Sequence, residues 1–217
     1  MTLSEENYLK AIYHLTVISN ADVSTNAIAE MMETKASSVT DMLKKLAEKG
    51  LVNYIKYQGV SLTDPGKLAA KMIVRKHRLW EVFLVEKLDF SWDEVHDVAE
   101  QLEHIKSEKL INKLDDFLGN PTEDPHGDPI PNAKGEIFKI EKQLLSELLV
   151  HQKGICVGVK DTSSEFLKYL DKQEIALGSK IEIIARESFD QSVKISVDGK
   201  SLSISNKIAS NLFVKIN

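Results

Sequence analysis

A single cysteine, Cys156, stands in 217 residues. It has no partner for an internal disulfide, so a hydrophobic core must hold the fold, and a reducing, cytoplasmic setting is expected. No run of about 18 apolar residues occurs, nor a basic leader with an apolar stretch behind it, so no transmembrane helix and no membrane partner are expected. Catalytic signatures are missing as well: there is no His-Glu-x-x-His or its inverse, no Gly-x-Ser-x-Gly, no P-loop and no dinucleotide fingerprint. Neither enzymatic activity nor a small-molecule substrate is expected. Net positive charge is lacking too, at -5, but charge is unevenly divided. Residues 1–76 carry 10 Lys+Arg against 8 Asp+Glu, which leaves the remainder at -7. A phosphate-contacting surface therefore belongs in the first part, and the acidic remainder suits cations.

What the chain has is 42% hydrophobic residues, enough for two or three small cores. The apolar period predicts a first helix, capped by Ser4 and running through Tyr8, Ile12 and Leu15 to about Ser19, with a break at Asn20–Val23. A second, short helix follows Ser24 or Thr25, and a third spans about Ala36 to Lys49, closed by Gly50. Leu51–Ile55 and Val60–Leu62 alternate as strands around Tyr57, Gln58 and Gly59, a hairpin and hence a wing. Asp64-Pro65 opens a long helix to about Leu88. After a break at Asp89–Ser91 comes a helix carrying residues 96–104, and Ser107 caps another to Leu118. Gly119–Pro131, with Asn120, Pro121, Pro125, Gly127, Pro129 and Pro131, reads as a stiff connector. Beyond a short segment that includes Leu144–Val150, strands at Ile155–Val159, Lys180–Ile184, Val193–Val197 and Leu212–Ile216, a turn at Asp198-Gly199 and one helix, Ser164–Leu170, describe a small β-barrel of about 65 residues.

Three helices and a wing form the pattern of a winged helix-turn-helix, though protein-binding modules share that shape. The third helix begins Lys35-Ala36-Ser37-Ser38-Val39-Thr40, and a first turn of small hydroxylated residues can enter a major groove. Lys35, Ser37, Ser38, Thr40 and Lys44, with Lys56, Tyr57 and Gln58 of the wing, are the candidate contacts to double-stranded DNA. That helix offers no arginine for bidentate reading, so discrimination would rest on dimer spacing and DNA shape.

A second pattern points to metal. At about 100° per residue, His96, Glu100, Glu103 and His104 gather within an arc of roughly 100°, opposite Val95, Val98, Leu102 and Ile105. Such a stripe can be a solvated face of i, i+4 pairs. His77 and Glu81 on the preceding helix make a second ligand pair, which an antiparallel return would bring near His96. A helical di-iron enzyme would need Glu-x-x-His twice, but Gln101 precedes His104 by three residues and Val74 precedes His77 by three. DNA binding controlled by a divalent metal is the expectation.

The chain resembles the metal-dependent repressors of the diphtheria toxin repressor type, in particular their manganese transport regulator branch. The resemblance rests on Asn7-Tyr8-Leu9 with Ile12-Tyr13, Ser37-Ser38-Val39-Thr40, Gly50-Leu51-Val52, Leu62-Thr63, His77-Arg78-Leu79, Val95-His96-Asp97, Glu103-His104 and His126-Gly127-Asp128-Pro129-Ile130-Pro131. It implies a mainly α fold with β: a winged helix-turn-helix at 1–63, a helical metal-binding and dimerisation domain at 64–140, a connector at 141–149 and an SH3-like domain at 150–217. It also implies a primary metal site of Asn7, Glu100, Glu103 and His104. Family members of the manganese branch have aspartate where Asn7 stands, and those of the iron branch have methionine there and cysteine in place of Glu100. Glu6 is the alternative to Asn7. A second site is implied by His77, Glu81 and His96, completed by Asp124, His126 and Asp161, with Asp124 where a relative has cysteine. Lys10 takes a glutamate position used by a two-manganese variant, whose geometry is not expected here.

By the same resemblance each protomer holds two ions, Mn(II) first and Fe(II) as the alternative, and a homodimer binds operator DNA to repress metal uptake genes. Metal would clamp the DNA-reading head to the body. A winged-helix regulator answering to a small organic ligand and a helical metal-dependent hydrolase are the competing classes.

Overall fold

The computed structural model describes residues 1–19, 21–56, 58–138 and 141–216. Asn20, in the foreseen break, and Tyr57, a candidate wing contact, lie outside them. The chain divides into two compact units: Met1–Trp80 with Ala99–Asp116 and Pro131–Ile137, and Glu81–Val98 with Phe117–Ile130 and Phe138–Asn217.

In the first unit, α1 (Leu3–Ser19), α2 (Thr25–Met31) and α3 (Ala36–Glu48) precede the hairpin of β1 (Val52–Ile55) and β2 (Gly59–Leu62). The cap of α1 is a correction. Ser4 lies inside the helix, and Thr2 does the capping: its Oγ1 accepts from Glu5 N (3.3 Å) while Glu5 Oε2 accepts from Thr2 N (2.9 Å). The reciprocal pair uses the Thr-x-x-Glu spacing of a capping box, which outcompetes a lone serine. Ser24 caps α2 as foreseen, through Ala27 N (3.1 Å). Val23 adds a bridge to Val60, with 2.9 Å bonds in both directions, so the wing has a third, minimal strand. Tyr8, Leu9 and Ile12 of α1 share one core with Ile28, Val39, Leu43, Leu46, Val52, Val60 and Leu62, joined by Ala70 and Ile73 of α4 (Asp64–Leu88). These residues alternate with exposed neighbours at helical and strand periods, which is why the pattern was readable.

Helix α5 (Val95–Leu102) is shorter than the stripe. Glu103 and His104 sit in the turn that follows, where Glu103 N still bonds Ala99 O (2.8 Å) but Ile105 N closes on Leu102 O (3.1 Å). That tighter i, i+3 turn ends the helix and turns both ligands away from a straight face. Helix α6 (Glu108–Phe117) starts at Ser107, as expected. Arg75 on α4, 4% exposed, pairs with Asp115 at 2.7 Å.

The second unit is dominated by a six-stranded antiparallel sheet ordered β3-β8-β4-β5-β6-β7, from β3 (Gln143–Leu144), β4 (Lys153–Val159), β5 (Lys180–Arg186), β6 (Val193–Val197), β7 (Lys200–Ile204) and β8 (Leu212–Ile216). Register shifts at Cys156/Gly158 and Ile183/Ala185 curl it, as bulges do in small barrels. Helices α7 (Ser164–Lys172) and α8 (Asn206–Ala209) cover it. Strands β3 and β7 and helix α8 were not foreseen: two residues give no alternation, Leu202 is the one apolar residue between Lys200 and Ser203, and α8 is a single turn. Asp198 and Gly199 both take left-handed angles (φ 47° and 90°), the turn expected between β6 and β7. Among the described residues, no helix is long and apolar enough to cross a membrane.

Candidate metal centre

In the first unit, α1 brings Glu6, Asn7 and Lys10 to one face by their i, i+3 and i, i+4 spacing. The turn after α5 brings Glu103, which has no exposed side-chain surface. Lys10 Nζ lies 2.8 Å from each Glu103 oxygen and contacts Glu100 Oε1. His77 Nδ1 is 2.7 Å from Glu103 Oε2. A carboxylate only accepts, so Nδ1 carries the hydrogen. Burial pushes the Glu103 carboxyl up, but the His77 bond and the Lys10 charge outweigh it, and the pKa is held below the ordinary carboxylate value. Glu103 is a native anion.

His104 donates from Nδ1 to Glu6 Oε2 at 2.7 Å, which fixes its tautomer and leaves a lone pair on Nε2, 3.8 Å from Glu103 Oε1. The buried Asn7 Oδ1 has no hydrogen-bond partner among the described residues, and Glu103 Oε1 has none of good geometry, although the Lys10 ammonium lies 2.8 Å from it. A buried acceptor left without a donor is costly, and a cation is one species that satisfies it. His77, Glu100 and Glu103 each offer a donor atom within 4.8 Å of the others. The residues therefore fit a divalent ion.

The second unit holds another group, Glu81, Asp124 and His126, all buried and likewise within 4.8 Å. His126 Nε2 bonds the Trp92 carbonyl at 2.8 Å, so Nε2 carries the hydrogen and Nδ1 turns its lone pair toward Glu81 Oε1 and Asp124 Oδ1, each 3.9 Å away. Two carboxylates and an imidazole nitrogen so placed make a donor set that suits a divalent ion. Asp124 Oδ1 also accepts from His126 N (2.8 Å) and Asp128 N (3.0 Å), which folds the loop about the site. Trp92 stacks on His126 and donates from Nε1 to Asp171 of α7. His96 Nδ1 lies 3.6 Å from Glu81 Oε1 on a half-exposed side chain. Asp161 is used locally, accepting from Ser163 N (2.9 Å) at the start of α7.

Of the candidate DNA contacts, Lys35, Ser37, Ser38, Lys44, Lys56 and Gln58 are exposed. Thr40 is half-buried and donates its hydroxyl hydrogen to Ala36 O (3.0 Å). Lys10, which the resemblance sets at a glutamate position of a two-manganese variant, enters the centre as an ammonium paired with Glu100 and Glu103. Its signal in the sequence is its place three residues after Asn7, on the same helical face.

A winged helix together with carboxylate–imidazole groups defines the class, a DNA-binding protein that binds divalent metal. Residues 1–60 match "Iron dependent repressor, N-terminal DNA binding domain", 63–132 match "Iron dependent repressor, metal binding and dimerisation domain", and 143–216 match "FeoA domain". A solved manganese-dependent transcriptional repressor in complex with manganese is 36% identical, with a TM-score of 0.87 over 98% of this chain and 100% of that one. The HTH-type transcriptional regulator MntR of Oceanobacillus iheyensis is 35% identical over 117 residues, 54% of this chain and 78% of its own length. Diphtheria toxin repressor of Corynebacterium diphtheriae is 24% identical over 223 residues, 97% and 96% of the two chains. The chain belongs to the diphtheria toxin repressor family of metal-dependent transcriptional repressors, in its manganese regulator branch.

Proposed function

We propose that this protein is a cytoplasmic repressor, not an enzyme, that binds operator DNA as a homodimer when Mn(II) is bound and so controls metal uptake genes. The observation that carries the reading is the grouping of His77, Glu100 and Glu103, whose donor atoms lie within 4.8 Å of one another, together with the buried Asn7 Oδ1 on α1, which has no hydrogen-bond partner. Carboxylate, amide and imidazole donors without thiolate suit Mn(II), and Fe(II) next, a second reading that the iron wording of the family descriptions favours. Asn7, Glu100, Glu103 and His104 are proposed as the ligands of the primary ion. Glu6 is assigned as the residue that orients His104. His77 orients Glu103, and a second ion is held by Glu81, Asp124 and His126, with His96 and Asp161 in the set that the resemblance implies.

When bound, the primary ion supplies the divalent charge that ties α1 to residues 100–104. Helix α1 shares its core with the recognition helix α3, so ordering α1 orders α3. In a two-fold dimer this favours the spacing of recognition helices that matches a DNA turn of about 34 Å. Coupling on the order of 1 to 3 kcal/mol per site acts by population shift rather than by new base contacts. Lys35, Ser37, Ser38, Thr40 and Lys44 would meet the major groove, and Lys56, Tyr57 and Gln58 the backbone beside it.

The test is fluorescence anisotropy with a palindromic duplex selected by the protein from a random pool in Mn(II). Binding should need metal, rank Mn(II) and Fe(II) above Zn(II), and lose its metal response in Glu103→Ala. Equal affinity in chelator would sink the regulatory reading, and an unchanged response in Glu103→Ala would sink the primary site.

A further inference from the structure

We propose that Lys10 is a tethered competitor for the metal: its ammonium takes the Glu100 and Glu103 oxygens that the ion needs, and so sets the concentration at which the centre fills. The inference rests on the reading of Glu100 and Glu103 as ligands. An ordinary lysine pairs with one exposed acid and is worth little. Lys10 is 11% exposed and is shared by two carboxylates, one of them fully buried, at 2.8 Å from both oxygens of Glu103 and in contact with Glu100. It occupies the place of a cation in donor distance as well as in charge.

A divalent ion bound to the same oxygens would lie within about 4 Å of Nζ if Lys10 stayed, and two like charges at that range in a partly buried site repel strongly. Lys10 must therefore leave as the ion enters, which its flexible four-carbon stem allows. Binding becomes an exchange of one cation for another. The metal-free protein thereby keeps a positive charge beside the two carboxylates, and the ion is bound more weakly than the donor set alone would hold it.

The experiment measures Mn(II) affinity and ion count of the full chain by calorimetry, for the parent, Lys10→Gln, Lys10→Met and Glu103→Gln. Removing the ammonium should tighten binding on the order of tenfold or more, the worth of one charged hydrogen bond. In the parent, reductive methylation read by mass spectrometry should label Lys10 faster with Mn(II) than with chelator, a result that needs no variant to fold. Unchanged or weaker affinity in both Lys10 variants, or unchanged labelling, overturns the inference. An additional ion with the first affinity unaltered also overturns it, because Lys10 would then hold a separate position. If Glu103→Gln binds Mn(II) as the parent does, the ligand assignment fails instead.

Discussion

Replacing Glu103 by glutamine keeps the shape of the side chain and removes only its charge, so it isolates what the anion does. The native carboxylate is buried, accepts from His77 at 2.7 Å and lies 2.8 Å from Lys10. Hydrogen bonds to charged groups contribute roughly 1.5 to 3 kcal/mol each. Glutamine can still accept through one oxygen and Lys10 retains Glu100, so the net loss in the metal-free protein is about 2 to 4 kcal/mol. For a chain of this size each kcal/mol moves Tm by roughly 2 to 4 °C, which gives a fall of roughly 5 to 15 °C. With ligand at a hundred times its Kd, metal adds about 2.7 kcal/mol to the parent, and in the variant that share should vanish. Differential scanning calorimetry with and without Mn(II), together with calorimetric ion counting, reads both effects. A metal-free Tm within about 1 °C of the parent, or an ion count not reduced by one, would refute the reasoning.

Two further substitutions test the second unit. Gly127 has φ 80°, and a Cβ there would lie 2.0 Å from Val157 O and 2.5 Å from Gly158 Cα, so Gly127→Ala must displace the backbone that carries His126. A destabilisation of about 2 to 4 kcal/mol is expected, with loss of the Glu81–Asp124–His126 ion and retention of the Glu103 ion, checked by Tm and Mn(II) count. Asp93 accepts from Ser91 and Ser164 and faces Lys168, and against its burial these hold its pKa below the ordinary 3.8. A lowered carboxylate contributes stability that is complete above its unfolded pKa and is lost as pH falls through the folded one. Asp93→Asn should therefore be less stable than the parent near pH 7, with the gap closing below about pH 4 in urea melts. An equal gap at both pH values would rule the cause out.

Elements with full apolar periods were legible in the sequence. Helix α4 was read from Asp64-Pro65 to Leu88 and is found there, and α2, α3, α6, β6 and β8 were found close to the expected limits. What escaped depends on tertiary or reciprocal bonds. The Thr2–Glu5 cap is one, the Val23–Val60 bridge another, and β3 has only two residues to show. The stripe was legible as composition but not as geometry, because nothing in the spacing of residues 96–104 announces that the helix stops at Leu102. Glu100 and Glu103 came together as expected, whereas His77, expected with the second group, bonds Glu103.

The two centres reach the same electrostatic result by different local means. His104 is oriented by a carboxylate, Glu6, and His126 by a backbone carbonyl, that of Trp92. Each arrangement commits one ring nitrogen to donation and turns the other, as a lone pair, toward carboxylate oxygens. An imidazole nitrogen set among carboxylate oxygens is a donor set that a divalent ion fits. The two centres differ in what stands there beforehand. In the first unit Lys10 already supplies a positive charge. The net gain from an ion at the first centre is then the difference between two cations, and only such a difference between states can move the DNA-reading head.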